Sequence, residues 1–143
     1  MKLVSYAHAY RQNSVQTAGP GHLILMLFDG ALRFMSLALQ GFEETSVIDR
    51  NEMVHINLVK TQAIIDELQS SLNPEAGGAF AENLSRLYDY FRDQLREANL
   101  RKNPAPARVV VELLGEIRAA WAAMLDQQEN GVIEPPAWTA TAA

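Results

Sequence analysis

Leu23-Ile24-Leu25-Met26-Leu27-Phe28-Asp29-Gly30-Ala31-Leu32-Arg33-Phe34 is apolar around most of its circumference when wound as a helix, and Asp29, Arg33, Ser36 and Gln40 recur at steps of four, three and four residues. Positions so spaced fall on one side of a helix, so they draw a single polar stripe along an otherwise apolar cylinder. Such a helix is stable in water only when other elements cover most of its surface. The chain is punctuated at Ala18-Gly19-Pro20-Gly21, Thr45 to Arg50, Asn73-Pro74-Glu75-Ala76-Gly77-Gly78, Asn103-Pro104-Ala105-Pro106 and Gly131 to Pro136. These breaks leave four segments of roughly 20 to 25 residues.

Each segment carries its own seam. Val54, Leu58, Thr61, Ile65, Leu68 and Leu72 alternate four-three spacing in the second, with Val59 and Ile64 widening the stripe. Phe80, Leu84, Leu87, Phe91, Leu95 and Ala98 do the same in the third, where Glu82/Arg86 and Glu97/Arg101 stand four apart as solvent-side pairs. In the fourth, Val110, Leu113, Leu114, Ile117, Trp121, Met124 and Leu125 share one face, and Asn103 is placed to cap the helix with Pro104 just inside.

No stretch alternates with the two-residue period of a strand, and the short connections make consecutive helices antiparallel neighbours. The expected fold is all-α, an antiparallel four-helix bundle with an N-terminal extension or short helix packing on it. Helices of that length form rods of about 35 to 38 Å. One domain covers 1–143: a cap segment over 1–17, the bundle over about 20–128 and a tail over 129–143.

At 143 residues and 48% hydrophobic, the chain is long enough to bury one core without staples. A net charge of -5 argues against nucleic acid, whose phosphates need a concentrated excess of Lys and Arg. There is no cysteine, hence no disulfide and no thiolate chemistry. The first residues lack the apolar run of a signal peptide, and Asp29 and Arg33 interrupt the longest apolar stretch, so a soluble, cytoplasmic protein without membrane insertion is expected.

Glu52-Met53-Val54-His55 has the Glu-x-x-His spacing of carboxylate-bridged di-metal bundles, in which residues three apart converge on one ion. A second such pair is needed, and His8 and His22 do not follow a Glu by three. Glu52 and His55 therefore read as solvent-face residues near a helix start, where an acid suits the dipole. No spacing brings a histidine to a nucleophile, and Gly19-Pro20-Gly21 lacks the Lys-Ser/Thr of a phosphate loop. No enzyme, cofactor or metal is expected. Phe34, Phe80, Phe91 and Trp121 lie on apolar stripes and read as core. Tyr6 and Tyr10 stand four apart ahead of the bundle, as one face of a helical turn or an aromatic clasp that could plug a groove. Leu87, Phe91 and Leu95 could line such a groove with the second helix.

The run Tyr6-x-x-x-Tyr10-x-x-Asn13-Ser14-Val15-Gln16-Thr17-Ala18-x-Pro20-x-x-Leu23 continuing through Phe34 resembles the opening of the flagellin export chaperones of the FliS family. The resemblance extends through Ala63 to Asn73, Gly77-Gly78, Ala81-Glu82-Asn83-Leu84, Leu87 to Tyr90, Glu97-Ala98-Asn99 and Leu113 to Trp121, with Phe28 where the family commonly has Tyr and His22 where it commonly has Lys. It implies a cytoplasmic helical bundle that binds the disordered C-terminal region of flagellin, prevents premature polymerisation and hands the client to the flagellar type III export gate. The side chains expected to meet a partner are Tyr6, Tyr10, Val15, Ile24, Leu27, Leu84, Leu87, Tyr88 and Phe91. The alternatives are a helical adaptor with no export role and, behind it, a di-metal carboxylate bundle. The tail with Pro135-Pro136-Ala137-Trp138 lies outside the resemblance.

Overall fold

Helices begin in this chain where a side chain or a proline takes care of N–H groups that have no partner in the first turn. Ser46 Oγ accepts from Asp49 N–H at 3.3 Å, Asn73 Oδ1 from Ala76 N–H at 3.2 Å and Asn103 Oδ1 from Ala105 N–H at 3.1 Å. Pro20, Pro74 and Pro104 stand at the first position of their helices, where the missing donor costs nothing. The computed structural model describes residues 19–129. It contains α1 (Pro20–Phe42), α2 (Val47–Ser70), α3 (Pro74–Arg101) and α4 (Pro104–Glu129), with no strand among the described residues. Lys102, in the left-handed region at φ 49° and ψ 45°, reverses the chain between α3 and α4. The cap segment with Tyr6, Tyr10 and Val15, and the tail with Trp138, lie outside the described residues.

The helices close into a ring in which α1 meets α2 and α4, and α3 meets α2 and α4. Antiparallel register shows in the pairs that bridge them. Trp121 Nε1–H donates to Gly21 O at 2.8 Å, Arg118 binds Asp29 at 2.8 Å, and Arg92 binds Asp66 at 2.5 Å. The starts of α1 and α3 therefore share one end of the bundle with the finishes of α2 and α4. This is the antiparallel four-helix bundle that the periodicity predicts.

Inside the ring lie Phe28, Met35 and Ala38 of α1, Leu58 and Ile65 of α2, Phe91 and Leu95 of α3, and Val110 and Leu114 of α4, none more than 1% exposed. Asp29, Arg33, Ser36 and Gln40 all face outward, as their spacing requires. By length and composition α1 is apolar enough to cross a membrane. Here it is a bundle helix, with that polar stripe on its outer side and seven of its residues buried. Two seam assignments differ from expectation. Val59 is 39% exposed because it lies opposite the Val54–Leu58–Ile65 face of its helix. Phe80 is 57% exposed because the buried stripe of its helix runs through Ala81, Leu84, Tyr88, Phe91, Leu95 and Ala98 and passes beside it.

The α1–α2 contact is the most extensive of the four. Small residues allow it: a Cβ on Gly41 would stand 3.1 Å from Val54 N and from Met53 Cβ, and one on Gly30 would stand 3.3 Å from Ile64 Cδ1. Gly41→Leu would force these helices apart and is expected to lower stability by about 1–3 kcal/mol, as overpacking does. Urea denaturation followed by circular dichroism measures it, and an unchanged midpoint would show that α2 can yield at Met53 and Val54.

Candidate partner-binding surface

A bundle can offer a partner only what its own packing leaves uncovered, so the flanks between helices decide where apolar side chains stay accessible. Polar bonds close two of the four. On the α2–α3 flank, Gln69 Nε2 donates to Ser85 O at 3.1 Å, Ser85 Oγ at 2.9 Å and Asp89 Oδ1 at 3.0 Å. Arg92 reaches Asp66, Asp89 and Gln69 Oε1 from the same side, and Asn99 Nδ2 meets His55 Nδ1 at 2.9 Å. The hydrogen bonds from Gln69 and then Arg92 hold the Asp89 carboxyl below the usual carboxylate range, while Asp66 raises the guanidinium of Arg92. On the α1–α4 flank, Asp29 similarly raises Arg118, and His22 Nε2 pairs with the Glu129 carboxylate.

Ser85, Asp89, Arg92 and Asn99 thus mark the side of α3 turned to α2, which leaves Leu87 and Tyr90 on its other side. Arg118 and Trp121 mark the side of α4 turned to α1, and Leu113, Ile117 and Met124 lie on the other. Because Lys102 and Asn103 join α3 to α4, Leu87 and Tyr90 stand at about the depth of Leu113 and Ile117, each counted at 1.5 Å per residue from that turn. Leu87, Leu113, Ile117 and Met124 are partly buried against the core, and Tyr90 is 42% exposed. The α3–α4 flank is therefore a shallow apolar furrow.

Among the expected partner-contacting residues that are described, only Leu87 and Leu27 combine apolar character with partial exposure. Ile24, Leu84, Tyr88 and Phe91 are between 0% and 9% exposed and belong to the core. The furrow expected between α2 and α3 from Leu87, Phe91 and Leu95 is not where Leu87 points, since Phe91 and Leu95 are fully buried and Leu87 lies away from α2. Tyr90, Leu113 and Ile117 complete the surface. Four-three spacing marks Leu113 and Ile117 as apolar but cannot tell the rim of a stripe from its centre.

The family model described as "Flagellar protein FliS" matches residues 3–128. The flagellar secretion chaperone FliS of Bacillus subtilis is 38% identical over 113 residues, 79% of this chain and 80% of its own. That of Salmonella typhimurium is 39% identical over 118 residues, covering 82% of this chain and 84% of its own. The Vibrio cholerae chaperone of the same name is 32% identical over 117 residues, 79% and 83% of the two chains. The chain belongs to the FliS family.

The two departures from the commoner FliS pattern have local explanations. Phe28 is 1% exposed, its ring centroid 6.5 Å from that of Trp121, so it fills the core without a hydroxyl to satisfy. His22 ties the first turn of α1 to the last of α4 through Glu129. Glu52 and His55 lie on the exposed side of α2, and no group of three or more metal-ligating side chains occurs among the described residues.

Tyr88 is 2% exposed, and burial pushes its phenol well above the ordinary tyrosine value. The folded protein keeps this proton where the unfolded chain loses it. Stability from the neutral phenol is complete below pH about 10 and declines as pH rises further. Tyr88→Phe removes the ionisation. Urea titrations between pH 9 and 11 are expected to show wild type losing about 1.4 kcal/mol per pH unit more than the variant above pH about 10; parallel curves would mean that Tyr88 ionises freely.

Proposed function

We propose that this chain is a cytoplasmic, non-enzymatic export chaperone that binds the disordered C-terminal region of flagellin, keeps it from polymerising and delivers it to the flagellar type III secretion apparatus. Membership of the FliS family over residues 3–128, with relatives named flagellar secretion chaperones, carries the reading. The furrow supports it. An unassembled subunit whose assembly segments are amphipathic exposes apolar stripes, and a shallow channel between helices can cover them with side chains at three- and four-residue spacing.

The energetics suit a cargo that has to be released. Ordering a client costs roughly 1–2 kcal/mol of backbone entropy per residue, while covered apolar surface returns about 25 cal/mol per Å². The two nearly cancel over a long segment, so a few anchors set the affinity. In this reading Leu87 and Tyr90 are such anchors, and Tyr6, Tyr10 and Val15 form a leader that covers apolar surface when no client is bound. A leader that competes with the client lowers apparent affinity by the fraction of molecules it leaves open.

Calorimetric titration with a flagellin C-terminal peptide tests the core of the proposal, and absence of binding to the intact chain sinks it. Leu87→Gln combined with Tyr90→Gln is expected to weaken binding about tenfold with an unchanged helical spectrum, because both residues lie outside the closed core. Equal affinity would move the client elsewhere on the bundle. Deleting residues 1–10 is expected to raise client affinity or expose a surface that aggregates; no change in either would remove the leader from the mechanism.

A further inference from the structure

The apolar furrow between α3 and α4 runs toward the end of the bundle where α4 stops. Leu113, Ile117, Ala120 and Met124 follow one another at steps of four, three and four, so the apolar line on α4 continues to within about two turns of Glu129. Ala120 is exposed and carries only a methyl group, which leaves room between Ile117 and Met124. The other flank of α4 is shut, because Arg118 binds Asp29, Trp121 Nε1–H donates to Gly21 O and His22 pairs with Glu129. A chain leaving Glu129 therefore has the α3–α4 furrow as its apolar neighbour.

The residues that follow suit that furrow. Asn130-Gly131-Val132-Ile133-Glu134-Pro135-Pro136-Ala137-Trp138 opens with a pair favoured in tight turns, continues with two apolar β-branched residues and carries a proline pair just ahead of a tryptophan. Adjacent prolines favour an extended helix and have no N–H to leave unsatisfied against an apolar surface. Segments of this kind dock in grooves that present aromatic rings, and Tyr90 presents one at 42% exposure. The reach matches as well. With the chain turned back at Asn130 and Gly131, the stretch from Gly131 to Trp138 spans about 22 Å when extended, and Ile117 lies about 18 Å from Glu129 along α4. Trp138 then comes level with Ile117, Leu87 and Tyr90. The FliS match ends at residue 128, so this segment is not part of what the family pattern supplies.

We propose that residues 130–138 fold back along the α3–α4 furrow and seat Trp138 beside Leu87, Tyr90 and Ile117, so that the chain occupies its own furrow. Because the segment is tethered at Glu129, its effective concentration there is of roughly millimolar order, and weak contacts are enough to keep it seated in a large share of the molecules. One consequence rests on the client reading of this furrow: client and tail then exclude each other, and the client meets only the molecules whose tail is out.

NMR on the full chain tests the contact directly, with the indole signal of Trp138 identified by its loss in Trp138→Phe. That indole is expected to show nuclear Overhauser contacts to the side chains of Leu87, Tyr90 and Ile117. Deleting residues 130–143 is expected to shift the amides of Leu87, Leu113 and Ile117 and to leave the helical spectrum unchanged. Contacts of Trp138 with another face, or none with the bundle, overturn the proposal, as do contacts seen only between differently labelled copies or a furrow filled by Tyr6 and Tyr10. A flagellin C-terminal peptide gives a second readout: Trp138→Ala is expected to raise its affinity about threefold. Weaker binding by that variant overturns the proposal, since the tail would then form part of the client's seat. Unchanged affinity beside intact Trp138 contacts strikes the client reading of the furrow alone, and so does failure of the peptide to bind the intact chain.

Discussion

The close approach of α1 and α2 is the contact on which the rest of the bundle depends. Gly41 lies against the backbone of Val54, and Gly30 against Ile64, so the two axes come nearer than larger side chains would permit. That proximity aligns Ala31, Met35 and Ala38 with Val54, Leu58 and Ile65, all fully buried. With this pair set, α3 and α4 have one inner face each to satisfy, and the four-three stripes of Leu84–Leu95 and Val110–Leu125 do so. Thr61, buried in the same region, returns its hydroxyl to Asn57 O at 2.9 Å, so the interior carries no polar cost there.

The flanks are treated unequally, and the inequality leaves one of them apolar. Between α2 and α3, Gln69, Asp66, Asp89 and Arg92 form a connected network rather than isolated surface pairs. Single exposed ion pairs contribute little, but a network that fixes one geometry sets the register of two helices. Between α1 and α4 the tie combines a Trp121 N–H bond with an ion pair. On the α3–α4 flank Leu87, Leu113 and Ile117 stay half-covered instead.

Much of the architecture was legible in spacing. The Asp29–Arg33–Ser36–Gln40 stripe, the seam from Val54 to Leu68, the Glu82–Arg86 pair at 2.7 Å and the Asn103 cap all stand where the periodicity puts them. Phe80 was not legible, because four-three spacing fits it to Leu84 and Leu87 as well as it fits Ala81 to Leu84 and Tyr88, and the buried stripe is the second. The candidate surface was legible only in part. Tyr88 and Tyr90 look alike in sequence, yet one is 2% and the other 42% exposed, and the difference is set by the α2 network that fixes how α3 is rotated. Gln69 and Ser85 are sixteen residues apart, a pairing that no local pattern announces.

A chaperone of this build has to keep its own fold out of the exchange with its cargo. The large core side chains are sealed at 0% to 9% exposure, so in the proposed reading a client would trade against rim residues such as Leu87, Tyr90 and Ile117 and leave Phe91 or Leu95 untouched. Rim residues give up only part of their surface, which keeps each anchor weak and the complex reversible.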